Sequence, residues 1–353
     1  MDRTIELRQQ LQQALADQQP LQIIAGGSKS FLGREAQGQL FNLAGHSGIV
    51  EYDFRELVVT VRAATPLLEL QQELAHNGQY LPFEPPLFDE SATIGGTLAC
   101  GLSGAGRPYR GSARDYLLGT QILNGKAEQL TFGGQVMKNV AGYDVSRLMV
   151  GAMGTLGIML QLSLKVLPRP AVNKTTVLQL EPGKAIEMMN RLAGQQHPLS
   201  ASCYFEGHLY LRLSGFEASI DKSLQQIGGQ VIADAAHFWQ SWNNHKHAFF
   251  QAAEVLWRFS VPSTTATINL PGKMAIDWGG AQRWLASAEA LDTNEVFDAL
   301  EKVGGHATCY RGQSRQGRIM QPLSMPMLNL HKRLKKSLDP QGIFNPGRLY
   351  PDL

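Results

Sequence analysis

Cysteine is scarce: the chain holds three, Cys100, Cys203 and Cys309. They are far apart and odd in number, which fits neither a disulfide framework nor a CxxC metal or iron–sulfur site, and a reducing cytosol is expected. Excess charge is missing too. A formal net charge of +2 gives no reason to expect a nucleic-acid or membrane surface. Long apolar runs are also lacking. The longest uncharged stretch, Leu148 to Leu164, is broken by Gly151, Gly154, Gly157 and Gln161, and it falls short of the ~20 predominantly apolar residues of a membrane span. A cytoplasmic location follows as the expectation, with peripheral attachment to the inner face of the membrane through a partner left open. Two nucleotide fingerprints fail. Gly104-Ala105-Gly106 runs into Arg107, Pro108 and Tyr109, so the last glycine of a GxGxxG turn is absent. Each Gly-Lys pair (Gly125-Lys126, Gly183-Lys184, Gly272-Lys273) is followed by alanine or methionine, not by the Ser or Thr of a Walker A loop.

What remains is a globular chain of 353 residues, 43% hydrophobic, long enough for two domains or for one with a large insertion. Its first residues, MDRTIELRQQLQQALADQQP, carry charges where a signal peptide needs an apolar core and read as a surface amphipathic helix. From about residue 20 to 170, pairs of glycines punctuate short β-like runs such as LQIIAGG, ELVVTVRAATP and ATIGGTLACG. Asn124-Gly125 marks a hairpin, because both residues tolerate positive φ. Thr65 is the expected N-cap of a helix with Pro66 as its first residue, Leu67, Leu70 and Leu74 on its buried face, and Asn77-Gly78 at its end.

The prolines of LPRPA, Leu167 to Ala171, suggest a boundary. Beyond it, KTTVLQLE, GKAIEMMNRLAG, SASCYFEG, HLYLRLSG, a helix near 216–228 and QVIAD give the β-α-β-β-α-β order of a ferredoxin-like unit. The chain closes with a helix stopped at Asp339-Pro340 and an irregular tail. The basic residues of that helix, Lys332, Arg333, Lys335 and Lys336, are expected on a solvated face, with an acidic partner surface as the alternative. The five tryptophans, Trp239, Trp242, Trp257, Trp278 and Trp284, all fall in the second part and by default pack its core.

QIIAGGSKSFLG, Gln22 to Gly33, poses the functional question. A lone Gly-Gly after a strand is ordinarily a turn. Glycine also lets backbone approach an anion, and successive N–H groups at Gly26, Gly27 and Ser28 would form a nest for phosphate oxygens. Three further glycine-bearing loops, SATIGGTLACG, YRGSARDYLLG and GAMGTLGI, suit an extended ligand with a pyrophosphate between two ring systems.

These loops, with KNVAGYDVSRLMVGAMGTLGI and the tail LDPQGIFNPGRLY, resemble the FAD-binding domain of the vanillyl-alcohol oxidase/p-cresol methylhydroxylase superfamily. GQVMKNVAGYD, LWRFSVP, IDWGGAQRWL and GGHATCYRG extend the likeness along the chain to the E-type family of bacterial glycolate oxidase subunits. The resemblance implies an α+β protein: a two-lobed PCMH-type FAD-binding domain over 1–170, a ferredoxin-like cap over 171–325, and a C-terminal segment, 326–353, that returns to the first domain. It implies FAD, with Gly26, Gly27 and Ser28 on the pyrophosphate and Lys29 and Ser30 in the same loop. Thr93, Gly95 and Gly96 would run beside the flavin and its phosphates, Ser112 and Asp115 on the ribityl side, Gly157 and Ile158 along an edge, and Asn345 over the ring. Covalent relatives often carry histidine after the first glycine loop; here Lys29 follows Ser28, so the flavin is expected to be noncovalent. Lys29 either adds charge near the pyrophosphate or is solvated.

The implied activity is oxidation of a small 2-hydroxy acid, glycolate to glyoxylate, by a complex that also holds a sister flavoprotein of D type and an iron–sulfur protein of F type. Such chemistry needs a carboxylate clamp and a base. Arg258 and Arg311 are candidate clamps and His306 a candidate base, each with a structural ion pair or a strand position as the plainer alternative. No metal site is expected. The H-x-G-D-G-N-x-H segment usual in catalytic relatives is absent, and His245-Lys246-His247 is no substitute, being read as solvent-exposed. Turnover in the sister flavoprotein is therefore the first reading. A self-sufficient D-lactate-type dehydrogenase, a flavin reductase of cell-wall precursor type and a noncatalytic assembly subunit are the alternatives.

Overall fold

The computed structural model describes residues 1–134 and 144–353; most of GQVMKNVAGYD lies outside the described residues. Helix α1 (Thr4–Ala16) leads to β1 (Leu21–Ile24), which pairs in parallel with β2 (Gln39–Asn42). Leu7 and Leu11 on α1 are fully buried, so one stripe of this charged helix seals the first part of the molecule.

An antiparallel sheet follows, built from β3 (Ile49–Asp53), β4 (Val58–Arg62), β6 (Leu117–Leu123), β7 (Gln129–Gly133) and β8 (Ile158–Lys165), in the order β3-β4-β8-β6-β7. A short β5 (Gln79–Tyr80) pairs with β9 (Leu167–Pro168). The central strands β4 and β8 are buried on both faces, which is why their sequences, VVTVR and IMLQLSLK, are apolar runs with little alternation. Helix α2 (Leu67–His76) lays Leu67, Leu70 and Leu74 against this sheet, all with no exposed surface. It begins one residue later than expected. Pro66 is the N-cap, and the Thr65 hydroxyl instead donates to the Arg62 carbonyl and accepts from Gly48 N–H. The β6–β7 hairpin forms at Asn124-Gly125, but the positive φ falls on Ala127. Gly125 serves close approach: a Cβ there would lie 2.6 Å from Asp339 Cα. Helices α3 (Ile94–Cys100), α4 (Arg107–Arg110), α5 (Ala113–Tyr116) and α6 (Val145–Met149) are short.

The second part holds an eight-stranded sheet. Strand β10 (Val172–Gln179), α7 (Pro182–Ala193), β11 (Leu199–Phe205), β12 (His208–Gly215), α8 (Glu217–Ile227) and β13 (Gln230–Val231) form the ferredoxin-like unit, with strand order β13-β10-β12-β11. Four further strands extend the sheet beyond β11: β14 (Val255–Ser260), β15 (Lys273–Asp277), β16 (Gln282–Ser287) and β17 (His306–Arg311), in the order β15-β16-β14-β17. The six-element unit read from the sequence is thus half of a larger sheet. Helices α7 and α8 cover one face through Ile186, Met189 and Ile220. On the other face α9 (Ala235–Asn243) and α10 (Ala248–Gln251) bury Trp239, Trp242 and Phe250. Helix α11 (Thr293–Lys302) packs Val296 and Leu300 near Trp257, and all five tryptophans are at most 9% exposed.

Helix α12 (Met325–Leu338) ends at Asp339, and the tail then runs back to the first part, where Phe344 bridges Leu21. One basic residue of α12 departs from the expected solvated face. Lys335 is buried, and its ammonium donates to Asp339 Oδ2 (2.8 Å), Thr155 O (2.8 Å) and Phe344 O (2.7 Å).

Candidate functional site

The first glycine loop leaves β1 and turns away from its partner strand. Gly27 has φ +76°, and Ser30 N–H donates to Gly27 O at 2.9 Å. The main-chain N–H groups of Gly26, Gly27, Ser28 and Lys29 find no acceptor among the described residues. Successive N–H groups left free on the wall of a groove form a nest of the kind that suits an anion. The second loop lies directly against the first: a Cβ at Gly26 would sit 1.5 Å from Ser91 O. There Thr93 caps α3, its hydroxyl accepting from Gly96 N–H at 3.2 Å, and Gly95 N–H donates to Ala63 O at 2.8 Å. Only glycine fits at 95, since a Cβ would meet Ala63 O at 2.6 Å.

These loops line one groove of about 900 Å³, counting space open to solvent. Its walls bring together Gly26, Gly27, Ser28, Lys29, Ser30, Thr93, Gly95, Gly96, Gly157 and Asn345. Asn345 is fixed by the tail, its side-chain oxygen accepting from Ile23 N–H (2.8 Å) and its amide donating to Met153 O (2.6 Å). Cys100, Met153, Gly154 and Arg348 also face the groove and were not singled out from the sequence. Met153 and Gly154 lie inside the quoted GAMGTLGI, and Arg348 inside NPGRLY. The groove carries positive charge. Lys29 is 6% exposed, its ammonium donating to Ser28 Oγ at 3.0 Å, and burial pulls its pKa down. Burial, with Arg315 nearby, pushes Arg348 down to about 10.

Three expected positions lie elsewhere. Ser112 and Asp115 are occupied with each other: the Asp115 carboxylate accepts from the Ser112 N–H and hydroxyl, both at 2.8 Å, closing a capping box on α5. Ile158, 1% exposed, packs in the core with Leu11 and Phe344.

The candidate catalytic residues are not gathered together. His306 begins β17 and is exposed. Arg311 donates to the carbonyls of Phe250 (2.5 Å) and Ala253 (3.5 Å). Arg258 lies deep on β14, at a second and smaller cavity. His245, expected in solvent, lines that cavity too. It stacks on Phe250 with ring centres 4.2 Å apart, and burial pushes its pKa down to about 3. Helix α9 ends at Asn243, and the turn that follows carries His245 inward instead of leaving it in solvent. Asp277, at the same cavity, accepts from Trp242 Nε1 (3.0 Å) and Trp278 N–H (2.7 Å), and burial raises its pKa to about 6.

A family model described as an FAD binding domain matches residues 3–133, the stretch that holds the first three glycine-bearing loops. A solved structure of alkyldihydroxyacetonephosphate synthase superposes with TM-score 0.68 at 15% identity, covering 98% of this chain and 75% of that one, which shows a shared fold. The class is therefore that of two-lobed proteins with an FAD-binding domain. At higher identity, glycolate oxidase subunit GlcE of Escherichia coli (strain K12) is 44% identical over 347 residues, 98% of this chain and 97% of that protein. This chain belongs to the GlcE family. Glycolate oxidase subunit GlcD of Bacillus subtilis (strain 168) is 33% identical over 133 residues, 38% of this chain and 28% of its own length.

The groove fits FAD on its own terms. Four N–H groups in one loop, without acceptors among the described residues, match the oxygens of a diphosphate, and Lys29 and Arg348 on the same walls supply compensating charge.

Proposed function

We propose that this chain is the FAD-carrying E-type subunit of a complex that oxidises glycolate to glyoxylate, working beside a D-type flavoprotein and an F-type iron–sulfur protein. The observation that carries this reading is the run of N–H groups from Gly26 to Lys29, without acceptors among the described residues, in a groove of a chain 44% identical to GlcE over nearly its full length. FAD supplies acceptance of a hydride from a carbon–hydrogen bond and onward release of single electrons. The chain's own residues bind and orient it. Gly26 to Lys29 hold the diphosphate, Ser30 closes the turn behind it, and Lys29 and Arg348 balance its charge. Gly95 and Gly96, with Thr93 capping the helix beside them, give a wall of little side-chain bulk along which a flat ring system slides in, and Gly157 and Asn345 complete the opposite edge. No histidine stands after the first loop, so the flavin is held noncovalently. We assign residues 1–170 to the FAD-binding domain, 171–325 to the cap and 326–353 to the returning segment. The F-type partner brings any contact with the membrane; no helix among the described residues is long and apolar enough to cross one.

Purified protein should be yellow, with flavin absorbance near ~450 nm, and Gly27→Val should strip the flavin while preserving the fold. At φ +76° a β-branched residue is strained by roughly 1–2 kcal/mol and intrudes on the diphosphate nest. A correctly folded, colourless wild-type preparation would overturn the proposal.

A further inference from the structure

Charge is spread unevenly along this chain. Residues 302–338 hold eight of its 32 lysines and arginines and no aspartate or glutamate. Part of that run folds together with the tail at one end of the flavin groove. Arg34 donates to Gly347 O (3.0 Å) and to Gly317 O, Arg315 to Gly33 O (2.9 Å) and Arg34 O (3.0 Å), and Arg348 to Arg34 O (2.7 Å). Ala36 and Arg348, within this cluster, line the groove. Helix α12 lies alongside. Its His331 ring stands 6.4 Å from that of Tyr350, and Lys335 holds Thr155 O and Phe344 O.

Lys335 is the one buried residue of α12, and its bond to Asp339 is the helix's ion pair among the described residues. Lys332, Arg333 and Lys336 are exposed with no carboxylate beside them. Next to them runs an apolar stripe at i, i+3, i+7 spacing, Met327, Leu330 and Leu334. Met327 and Leu330 are 45% and 40% exposed, and Met325 is 66% exposed. Solvated basic side chains need no partner, but a contiguous apolar edge rimmed by charge marks an interaction site, and methionine and arginine are enriched at interfaces.

We propose that α12 and the arginine cluster beside it form the docking face for the D-type flavoprotein, which meets them with an acidic surface around an apolar centre. The partner's identity rests on the function proposed above; its chemistry follows from the helix. A small anion drawn by the same charge would leave Met325, Met327 and Leu330 in water. A bilayer surface calls for a bulky apolar face, whereas α12 carries no Trp, Phe or Tyr and its apolar stripe is a half-covered flank. A partner seated here stands at the end of the groove and bears on the tail that carries Asn345 and Arg348 into it.

Isothermal titration of the full, flavin-loaded chain with purified D-type flavoprotein tests this. The wild-type Kd should rise at least about tenfold between about 0.05 and 0.5 M salt, as screening of facing charges requires. Lys332→Glu/Arg333→Glu should weaken binding about 100-fold and flatten the salt dependence; Met327→Ser/Leu330→Ser should weaken it about 10-fold and leave that dependence intact. All four side chains are exposed, so flavin content should hold and melting points stay within about 2 °C of wild type. Lys184→Glu/Lys222→Glu, the same charge change on α7 and α8, should bind like wild type. Unaltered affinity in either α12 variant, or an equal loss in the α7 and α8 control, would overturn the inference. So would a loss confined to binding of the F-type protein, to self-association, or to vesicles of phosphatidylglycerol and phosphatidylethanolamine. Wild type that ignores the D-type protein altogether would take the complex reading down as well. A colourless chain that still docks through α12 would sink the flavin reading alone.

Discussion

Replacing Lys335 by Met tests whether the tail is held on the groove by one buried ion pair. The Lys335 ammonium is surrounded by Asp339 Oδ2, Thr155 O and Phe344 O, all within 2.8 Å. The Asp339 carboxylate, 1% exposed, also accepts from Ile343 N–H (3.2 Å) and Phe344 N–H (2.8 Å). Helix, tail and the loop carrying Gly154 thus meet at one point. Methionine fills similar space but leaves a buried carboxylate without its cation, which costs about 3–5 kcal/mol. The two backbone donors remain, so the lower figure is expected. At roughly 2–4 °C per kcal/mol, and less in a longer chain, calorimetry should show the melting temperature falling by roughly 5–10 °C. Because the same tail carries Asn345 and Arg348 into the groove, flavin should also be lost on gel filtration sooner than from wild type. Lys335→Met with Asp339→Asn removes the orphaned charge and should recover part of the loss. A single variant melting within about 1 °C of wild type would refute the reasoning.

Other perturbations follow from the same geometry. Burial raises Asp277 above its unfolded value to about 6, so its contribution is fully present below about pH 4 and lost as pH rises to about 6; Asp277→Asn should flatten that fall, by about 3 kcal/mol, in urea unfolding at pH 4 and 7. His245 has the opposite sign. Its pKa is depressed to about 3, so stability present above about pH 6.5 is lost on acidification, and His245→Phe, which keeps the stack on Phe250, should make the protein more acid-resistant by the same measurement. Gly26→Ala would drive a Cβ into Ser91 O, parting the first two loops, and should weaken FAD at least tenfold by equilibrium dialysis. Glu84 joins the two parts through Arg212 (2.5 Å) and Asn243 (3.3 Å), and accepts from Gly106 N–H (3.1 Å) within its own part; Glu84→Ala strands a buried guanidinium and should cost about 3 kcal/mol in chemical unfolding.

The sequence by itself determined the local features, since each depends on a few neighbouring residues. Apolar periodicity placed the buried leucines of α2, paired glycines placed the loops, and the β-α-β-β-α-β order of the cap could be read because each element carries its own pattern. The four added strands and their β15-β16-β14-β17 order were not legible, because pairing between distant segments leaves no local mark. Glycine alone could not say which loops meet: Ser91 O against Gly26 brings two together, whereas the Ser112–Asp115 loop caps its own helix. The tertiary structure also decided the state of charged residues. Lys335 looked like one lysine in a solvated basic run, His245 like part of an exposed HKH, and Arg258 and Arg311 like equals. Burial and partner carbonyls, set by chain segments tens to hundreds of residues away, made the first an ion-paired anchor and the second an acid-resistant neutral ring, and they separated Arg311, held by two backbone carbonyls, from Arg258, which has no hydrogen-bond partner among the described residues.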